Sequence, residues 1–213
     1  MIAPRLYVIL DRTAAAGRDL ETILAQVLDG GAEMIQLREK TLPSGDLLPL
    51  AGRLRARCAA AKVPFIVNDR VDLTTTVGAD GVHLGQDDLS PASARMMLPS
   101  GKILGLSTHS VAQAVAAQAA GADYVAVGAM YPTATKPEFQ LVGPALARQV
   151  RPVVTVPLVG IGGITPENAA AVIEAGCDGV AVISAVCAAA DPAAAARRFV
   201  DVVDAARRAR SRP

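Results

Sequence analysis

The sequence predicts a single closed (β/α)8 barrel of the α/β class, and three observations carry that expectation. Short β-branched runs alternate with longer Ala/Leu/Arg stretches of helical period, strand then helix, eight times over, which is the pattern of a parallel sheet with helical crossovers. The runs are short and carry no charge within them, as expected of strands covered on both faces. An internal echo completes the argument: Gly31-Ala32-Glu33, Gly78-Ala79-Asp80, Gly121-Ala122-Asp123 and Gly176-Cys177-Asp178 each stand before a strand, where Gly suits a helix C-cap and a tight turn.

The elements follow in order. Leu6–Leu10 is the first strand, and Leu10-Asp11-Arg12 after it has no glycine cradle, which argues against a doubly wound open sheet, whose first phosphate loop would usually stand there. Met34–Arg38 is the second, running out through Gln36-Leu37-Arg38-Glu39-Lys40; alternation puts Gln36, Arg38 and Lys40 on one face. Phe65–Val67 ends in Asn68-Asp69, and Gly81–Leu84 ends in Gln86-Asp87-Asp88. Ile103–Leu106 leads to Ser107-Thr108-His109, and Tyr124–Val127 precedes Pro132-Thr133-Ala134-Thr135-Lys136. Leu158–Ile161 runs into Gly162-Gly163-Ile164, and Gly179–Ile183 meets Ser184. Thr165-Pro166-Glu167-Asn168 reads as an N-cap with Pro at the first helical position. Eight such units in 213 residues suit one barrel of about 200–250 residues, so residues 1–213 are expected to form one domain.

Composition limits the function. The chain is 52% hydrophobic and 19% charged, and 21 Lys plus Arg against 20 Asp plus Glu leave a net charge of +1. That balance implies no nucleic-acid partner. The run Arg207-Arg208-Ala209-Arg210 reads as a helix end rather than a binding tail. Cys58, Cys177 and Cys187 are odd in number and widely spaced, as expected of reduced thiols in a cytoplasmic protein. The start of the chain has the wrong flanks for a signal peptide, and no apolar run reaches membrane-spanning length. Oligomeric state stays open, a homo-oligomer being allowed.

In a barrel the polar strand ends all meet at one mouth, where active sites of this fold are built. Asp69 and Asp88 offer hard anionic oxygens, and Mg²⁺ is usually held by one or two carboxylates together with substrate phosphates and waters. Arg38, Lys40 and Lys136 supply cationic donors suited to a diphosphate. Gly162-Gly163 and the strand-eight end offer backbone N–H groups where barrels commonly hold phosphate. Two anion sites are expected, one metal-assisted and one metal-free. A diphosphate held by metal, Arg and Lys is poised to leave, which favours transfer of a diphosphate-activated group onto a phosphate-bearing acceptor.

Six segments then carry a specific resemblance: Gln36-Leu37-Arg38-Glu39-Lys40, Asn68-Asp69-Arg70-Val71-Asp72-Leu73, Gly81 to Leu89, Gly105-Leu106-Ser107-Thr108-His109, Thr133-Ala134-Thr135-Lys136 and Val159 to Ile164. In order and along the whole chain, they resemble the signature set of the thiamine-phosphate synthase family. The resemblance implies a transferase that joins 4-amino-5-hydroxymethyl-2-methylpyrimidine diphosphate to 4-methyl-5-(2-phosphoethyl)thiazole, releasing diphosphate by a dissociative route with Mg²⁺ as cofactor. It implies pyrimidine-diphosphate contacts from Gln36, Arg38, Lys40, Asn68, Ser107 and Lys136, with Leu37 and Glu39 in the same segment, and Mg²⁺ on Asp69 and Asp88. Thr133, Ala134, Thr135, Gly163, Ile183 and Ser184 would meet the thiazole phosphate. Arg38, Lys40, Ser107 and Lys136 would stabilise the departing diphosphate, with no side-chain nucleophile required.

Other residues carry plainer readings. Asp72 and Asp87 are expected to be helix-start or loop charges. His83, between Val82 and Leu84, reads as a satisfied packing residue rather than a base. His109 has no acid partner from which a Ser-His triad could be built. Two departures from the family pattern bear on the thiazole pocket: Ala129-Met130-Tyr131, and the apolar loop Lys136-Pro137-Glu138-Phe139-Gln140, which reads as a surface loop or a lid. Three alternatives compete. A thiazole tautomerase of the same superfamily would be expected to lack the Gln-Asp-Asp and Thr-x-Thr-Lys elements. A sugar-phosphate isomerase would have no use for the cationic cluster, and a non-catalytic binding barrel is separable only by assay.

Overall fold

The computed structural model describes residues 3–133 and 140–211. Within them the chain alternates β1 (Leu6–Asp11), α1 (Leu20–Asp29), β2 (Met34–Arg38), α2 (Ser44–Ala60), β3 (Phe65–Asn68), α3 (Val71–Val77), β4 (Gly81–Leu84), α4 (Pro91–Met97), β5 (Ile103–Thr108), α5 (Val111–Ala119), β6 (Tyr124–Val127), α6 (Gly143–Val150), β7 (Leu158–Ile161), α7 (Ala169–Glu174), β8 (Gly179–Val182), α8 (Ser184–Cys187) and α9 (Pro192–Arg210). The strands pair in sequence order, all parallel, and β8 closes on β1. All eight expected strands are present. The helix expected to start after Thr165 begins later, at Ala169, because residues 166–168 form a turn in which the Asn168 side chain accepts from the Thr165 N–H at 2.8 Å.

Strand alternation divides the apolar residues into two cores. Along β1, Leu6, Val8 and Leu10 point outward into the layer under the helices, whereas Tyr7 and Ile9 point into the barrel. The interior is filled by Tyr7, Ile9, Met34, Ile66, Tyr124, Val159 and Ala181. Two buried tyrosines among aliphatic side chains are unusual filler, since a buried hydroxyl costs stability unless it is hydrogen-bonded. Gly105 on β5 makes the room: a Cβ there would fall within the Tyr124 ring.

The four-fold echo in the sequence corresponds to one repeated device at the opposite end of the barrel from the mouth. Gly31, Gly78, Gly121 and Gly176 all have positive φ, at 89°, 66°, 82° and 109°, conformations that favour Gly. Each turn delivers an acid that accepts from a backbone N–H at the start of the preceding strand. Glu33 takes Arg5 N at 2.7 Å, Asp80 takes Phe65 N at 2.8 Å, Asp123 takes Leu104 N at 2.8 Å and Asp178 takes Leu158 N at 2.9 Å. The clips therefore join β1 to β2, β3 to β4, β5 to β6 and β7 to β8.

Candidate active site

A cavity of about 690 Å³ opens at the C-terminal ends of the strands. On the β2 side, Gln36, Arg38 and Lys40 line it together, as the alternation of that segment predicts. Arg38 donates to Asp11 Oδ2, and Asp11 is itself buried and accepts from Ala14 N at 2.9 Å. Arg38 is thus braced on its inner side by β1 while it lines the cavity. Lys40 Nζ lies 3.0 Å from Asp69 Oδ2.

Two residues of the same segment require a correction. Leu37 points outward into the helix-covered core and is 2% exposed, so its side chain does not line the cavity. Glu39 is turned into the β2–α2 loop, where it accepts from Arg12 Nε at 2.7 Å, from the Thr41 hydroxyl at 2.7 Å and from Leu42 N at 3.0 Å. Burial alone would raise its carboxyl, but Thr41, Arg12 and Leu42 together hold it down at about 2. Both follow from the two-residue period that brings Gln36, Arg38 and Lys40 inward: the intervening side chains must point elsewhere.

Asn68 ends β3, and Asp69 follows in the left-handed region at φ 63°, a conformation that Asp tolerates better than most residues. Its N–H donates to His83 O at 2.9 Å, which ties the turn to β4. Asp88 curls back so that its carboxylate accepts from Gly85 N at 2.6 Å. Burial, opposed by that hydrogen bond, together with the close Asp69 carboxylate, pushes the Asp88 carboxyl above the usual range; Lys40 offsets this in part. Two adjoining carboxylates repel until a cation stands between them. Among the described residues no three His, Cys, Asp or Glu side chains gather into a metal cage. This donor set fits Mg²⁺, which commonly takes one or two carboxylates and completes its shell with phosphate and water, and does not fit a closed protein cage. Asp87 is exposed on the rim, and Asp72 pairs with Arg70 at 2.7 Å at the start of α3.

Ser107 lines the cavity from β5, and its hydroxyl lies 2.8 Å from His83 Nε2. His83 Nδ1 lies 2.8 Å from the Tyr124 hydroxyl, which meets the Tyr7 hydroxyl at 2.9 Å, and Gln36 Nε2 donates to Tyr7 at 2.5 Å. His83 is therefore satisfied at both nitrogens, as a packing residue would be, yet it also lines the cavity and touches Ser107. Burial, only slightly countered by Asp88, lowers its pKa to about 4 and keeps the ring neutral. Tyr7 and Tyr124 escaped the sequence reading because they sit inside strands rather than at their ends. The available signal was the placing of two of only three tyrosines at inward positions of short aliphatic strands. His109 also lines the cavity; its Nδ1 donates to Gly128 O at 2.6 Å, so no triad forms.

The far side of the mouth is built from backbone. Gly162 and Gly163, at φ 97° and 63°, carry the chain past β7, and a Cβ on Gly163 would lie 2.7 Å from Tyr131 O and closer still to Pro132 O. Asn168 donates to Gly163 O at 3.1 Å and fixes this loop. Ile183 ends the β8 side, Ser184 opens α8, and both line the cavity, as does Thr133. Of the Ala129-Met130-Tyr131 departure only Ala129 lines the cavity; Met130 is buried in the outer core. Ala134, Thr135 and Lys136, with the rest of the expected lid loop through Phe139, lie outside the described residues.

Comparison with known proteins gives a consistent set of likenesses. A family described as thiamine monophosphate synthase matches residues 6–186. A thiamine-phosphate synthase of Methanospirillum hungatei is 46% identical over 199 residues, covering 93% of this chain and 97% of its own. One from Moorella thermoacetica is 47% identical over 203 residues, covering 95% and 97%. Among solved structures, thiamine phosphate pyrophosphorylase from Pyrococcus furiosus superposes with a TM-score of 0.87 at 35% identity, covering 95% of this chain and 96% of that one.

Proposed function

Since the chain belongs to the thiamine monophosphate synthase family and is a thiamine-phosphate synthase, a transferase of thiamine biosynthesis, we propose how its own residues divide the reaction. One observation carries the proposal: a single cavity has a charged wall of Arg38, Lys40, Asp69 and Asp88 facing a backbone wall at Gly162, Gly163 and Ser184. The charged wall takes the diphosphate of 4-amino-5-hydroxymethyl-2-methylpyrimidine diphosphate, and the backbone wall takes the phosphate of 4-methyl-5-(2-phosphoethyl)thiazole.

On this reading Asp69 and Asp88 hold Mg²⁺, which when bound supplies positive charge against the diphosphate oxygens. Arg38, braced by Asp11, presents its outward N–H groups to the diphosphate, and Lys40 adds a mobile point charge. Ser107 donates to the same group. As the carbon–oxygen bond breaks, its electron pair goes to the diphosphate oxygen, and these donors stabilise the growing charge without reorganising. The pyrimidine-methyl cation is captured by the lone pair of the thiazole nitrogen, so the carbon–nitrogen bond forms with no enzyme nucleophile. Alignment of the two substrates is the remaining contribution. Gln36 and Asn68 flank the pyrimidine side. By family resemblance Lys136 is assigned to the pyrimidine diphosphate, and Thr133, Ala134 and Thr135 to the thiazole phosphate. The three cysteines, all buried and unpaired, support a reducing, cytoplasmic setting.

The test follows diphosphate release and thiamine phosphate formation from the two substrates with and without Mg²⁺. Asp69→Ala and Asp88→Ala should each abolish Mg²⁺-dependent turnover while the far-ultraviolet circular dichroism spectrum is retained. Turnover by both folded variants would remove the metal role.

A further inference from the structure

We propose that the hydrogen-bonded chain Gln36–Tyr7–Tyr124–His83–Ser107, which crosses the barrel interior beneath the substrates, fixes the direction in which the Ser107 proton points, with His83, Tyr124 and Tyr7 as positioning residues. All four links are short, from 2.5 to 2.9 Å. The chain begins on β2 and ends on β5, and both end residues, Gln36 and Ser107, line the cavity. Its middle is dry: Tyr7 and Tyr124 are each 1% exposed, and their rings cross edge to face at 5.8 Å. Tyr124 also stacks on His83 at 5.5 Å.

The direction follows from counting protons. Each hydroxyl has one proton to donate and a neutral imidazole one N–H; a tyrosine that accepted from both neighbours would strand its own proton in the dry interior, so every link runs the same way. Two arrangements exist. With the Gln36 amide N–H donating to Tyr7, Tyr7 donates to Tyr124 and Tyr124 to His83 Nδ1. His83 then carries its proton on Nε2 and donates it to Ser107 Oγ, and the Ser107 O–H is left to point into the cavity. In the reverse arrangement Ser107 spends its proton on His83 and turns lone pairs towards the cavity. The Gln36 nitrogen facing Tyr7 at 2.5 Å selects the first. An anion beside Ser107 selects it again, because lone pairs facing a diphosphate would be repelled. A neutral His83 is required, since an imidazolium would donate at both nitrogens and break the chain; both ring nitrogens meet hydroxyls, Tyr124 and Ser107, rather than a carboxylate.

The sequence makes space for this chain. Gly105 vacates the volume that Tyr124 occupies, and two tyrosines occupy positions where phenylalanine would fill the barrel without a hydroxyl to satisfy. The consequence for catalysis rests on Ser107 meeting the diphosphate; the proton direction itself does not.

Nitrogen-15 NMR of the full chain with labelled histidine tests both parts, because the chain holds only two histidines and a His109→Gln variant assigns them. His83 is expected as the neutral Nε2–H tautomer, alone and with inorganic diphosphate plus Mg²⁺. Tyr124→Phe, isosteric and checked by its melting temperature, should admit the Nδ1–H tautomer. It should lower kcat about tenfold, equivalent to about 1.4 kcal/mol, with KM for the thiazole phosphate unchanged. An Nδ1–H or doubly protonated His83 in the unaltered protein at pH 7 overturns the proposal, as does a Tyr124→Phe variant that keeps both tautomer and kcat. Diphosphate binding is measured calorimetrically on the same samples. Failure to bind would sink the clamp reading while the free-protein tautomer still decides the proton direction.

Discussion

On the proposed reading the two walls of the cavity each hold an anion, with different materials. The β2–β4 wall does it with side chains: Arg38 braced by Asp11, Lys40 against Asp69, and Asp88 folded onto Gly85 N. The β7–β8 wall does it with main chain, through Gly162 and Gly163 at positive φ and the start of α8 at Ser184. The charged wall suits a group whose negative charge grows during the reaction and must then leave. The backbone wall suits a phosphate whose charge does not change and needs only to be held.

The sharpest way to break this contrast is to remove charge from the first wall. Arg38→Met should lower kcat/KM for the pyrimidine diphosphate by about 10²–10³-fold, the usual cost of a lost transition-state donor, and leave KM for the thiazole phosphate alone. It should also lower the melting temperature, because Asp11 loses its partner. Equal damage to both substrates in steady-state kinetics would mean that the walls are not separate. Gly163→Ala attacks the second wall. A left-handed Ala costs about 1–2 kcal/mol, and the added Cβ meets the carbonyls of Tyr131 and Pro132. KM for the thiazole phosphate should rise with little change in the pyrimidine-diphosphate KM.

Gly105→Ala sharpens the contrast by touching neither wall. The new methyl overlaps Tyr124, so we expect a loss of about 1–3 kcal/mol in chemical denaturation, as for an overpacked core, and a smaller loss of kcat. The smallest effect belongs to Glu39→Gln, which should cost on the order of 1 kcal/mol and leave the affinity for both substrates nearly intact. Its carboxyl is depressed to about 2 in the folded protein from an unfolded value of about 4.3. Its stabilisation is therefore complete above the unfolded value and is lost as pH falls towards 2. Denaturation curves of the unaltered protein and of Glu39→Gln should accordingly converge as pH falls through about 2.

How much of this was legible in the sequence depended on whether a residue acts by its position in a period or by its surroundings. The eight strands and the shared face of Gln36, Arg38 and Lys40 follow from alternation, and the structure shows both. The same alternation removes Leu37 and Glu39 from the cavity, since a family segment names five consecutive residues while a strand can present only every second one. The tyrosine chain was not legible because hydrogen bonds across a barrel interior join β1, β2, β4, β5 and β6, and no local pattern links strands so far apart. Gly163 was noticed for its type, but only the nearness of Tyr131 and Pro132 shows why no larger residue fits.

The four acid clips at the far end of the barrel also determine how the molecule can be divided. Each lies inside a consecutive pair of strands, so a cut between Lys62 and Val63, after α2 and before β3, severs none of them, whereas a cut at Gly78 separates Asp80 from Phe65. The chain is in this sense four clipped strand pairs laid end to end. Segments 1–62 and 63–213 are pieces in which every strand keeps its clipped neighbour, so splitting the gene there leaves all four clips intact.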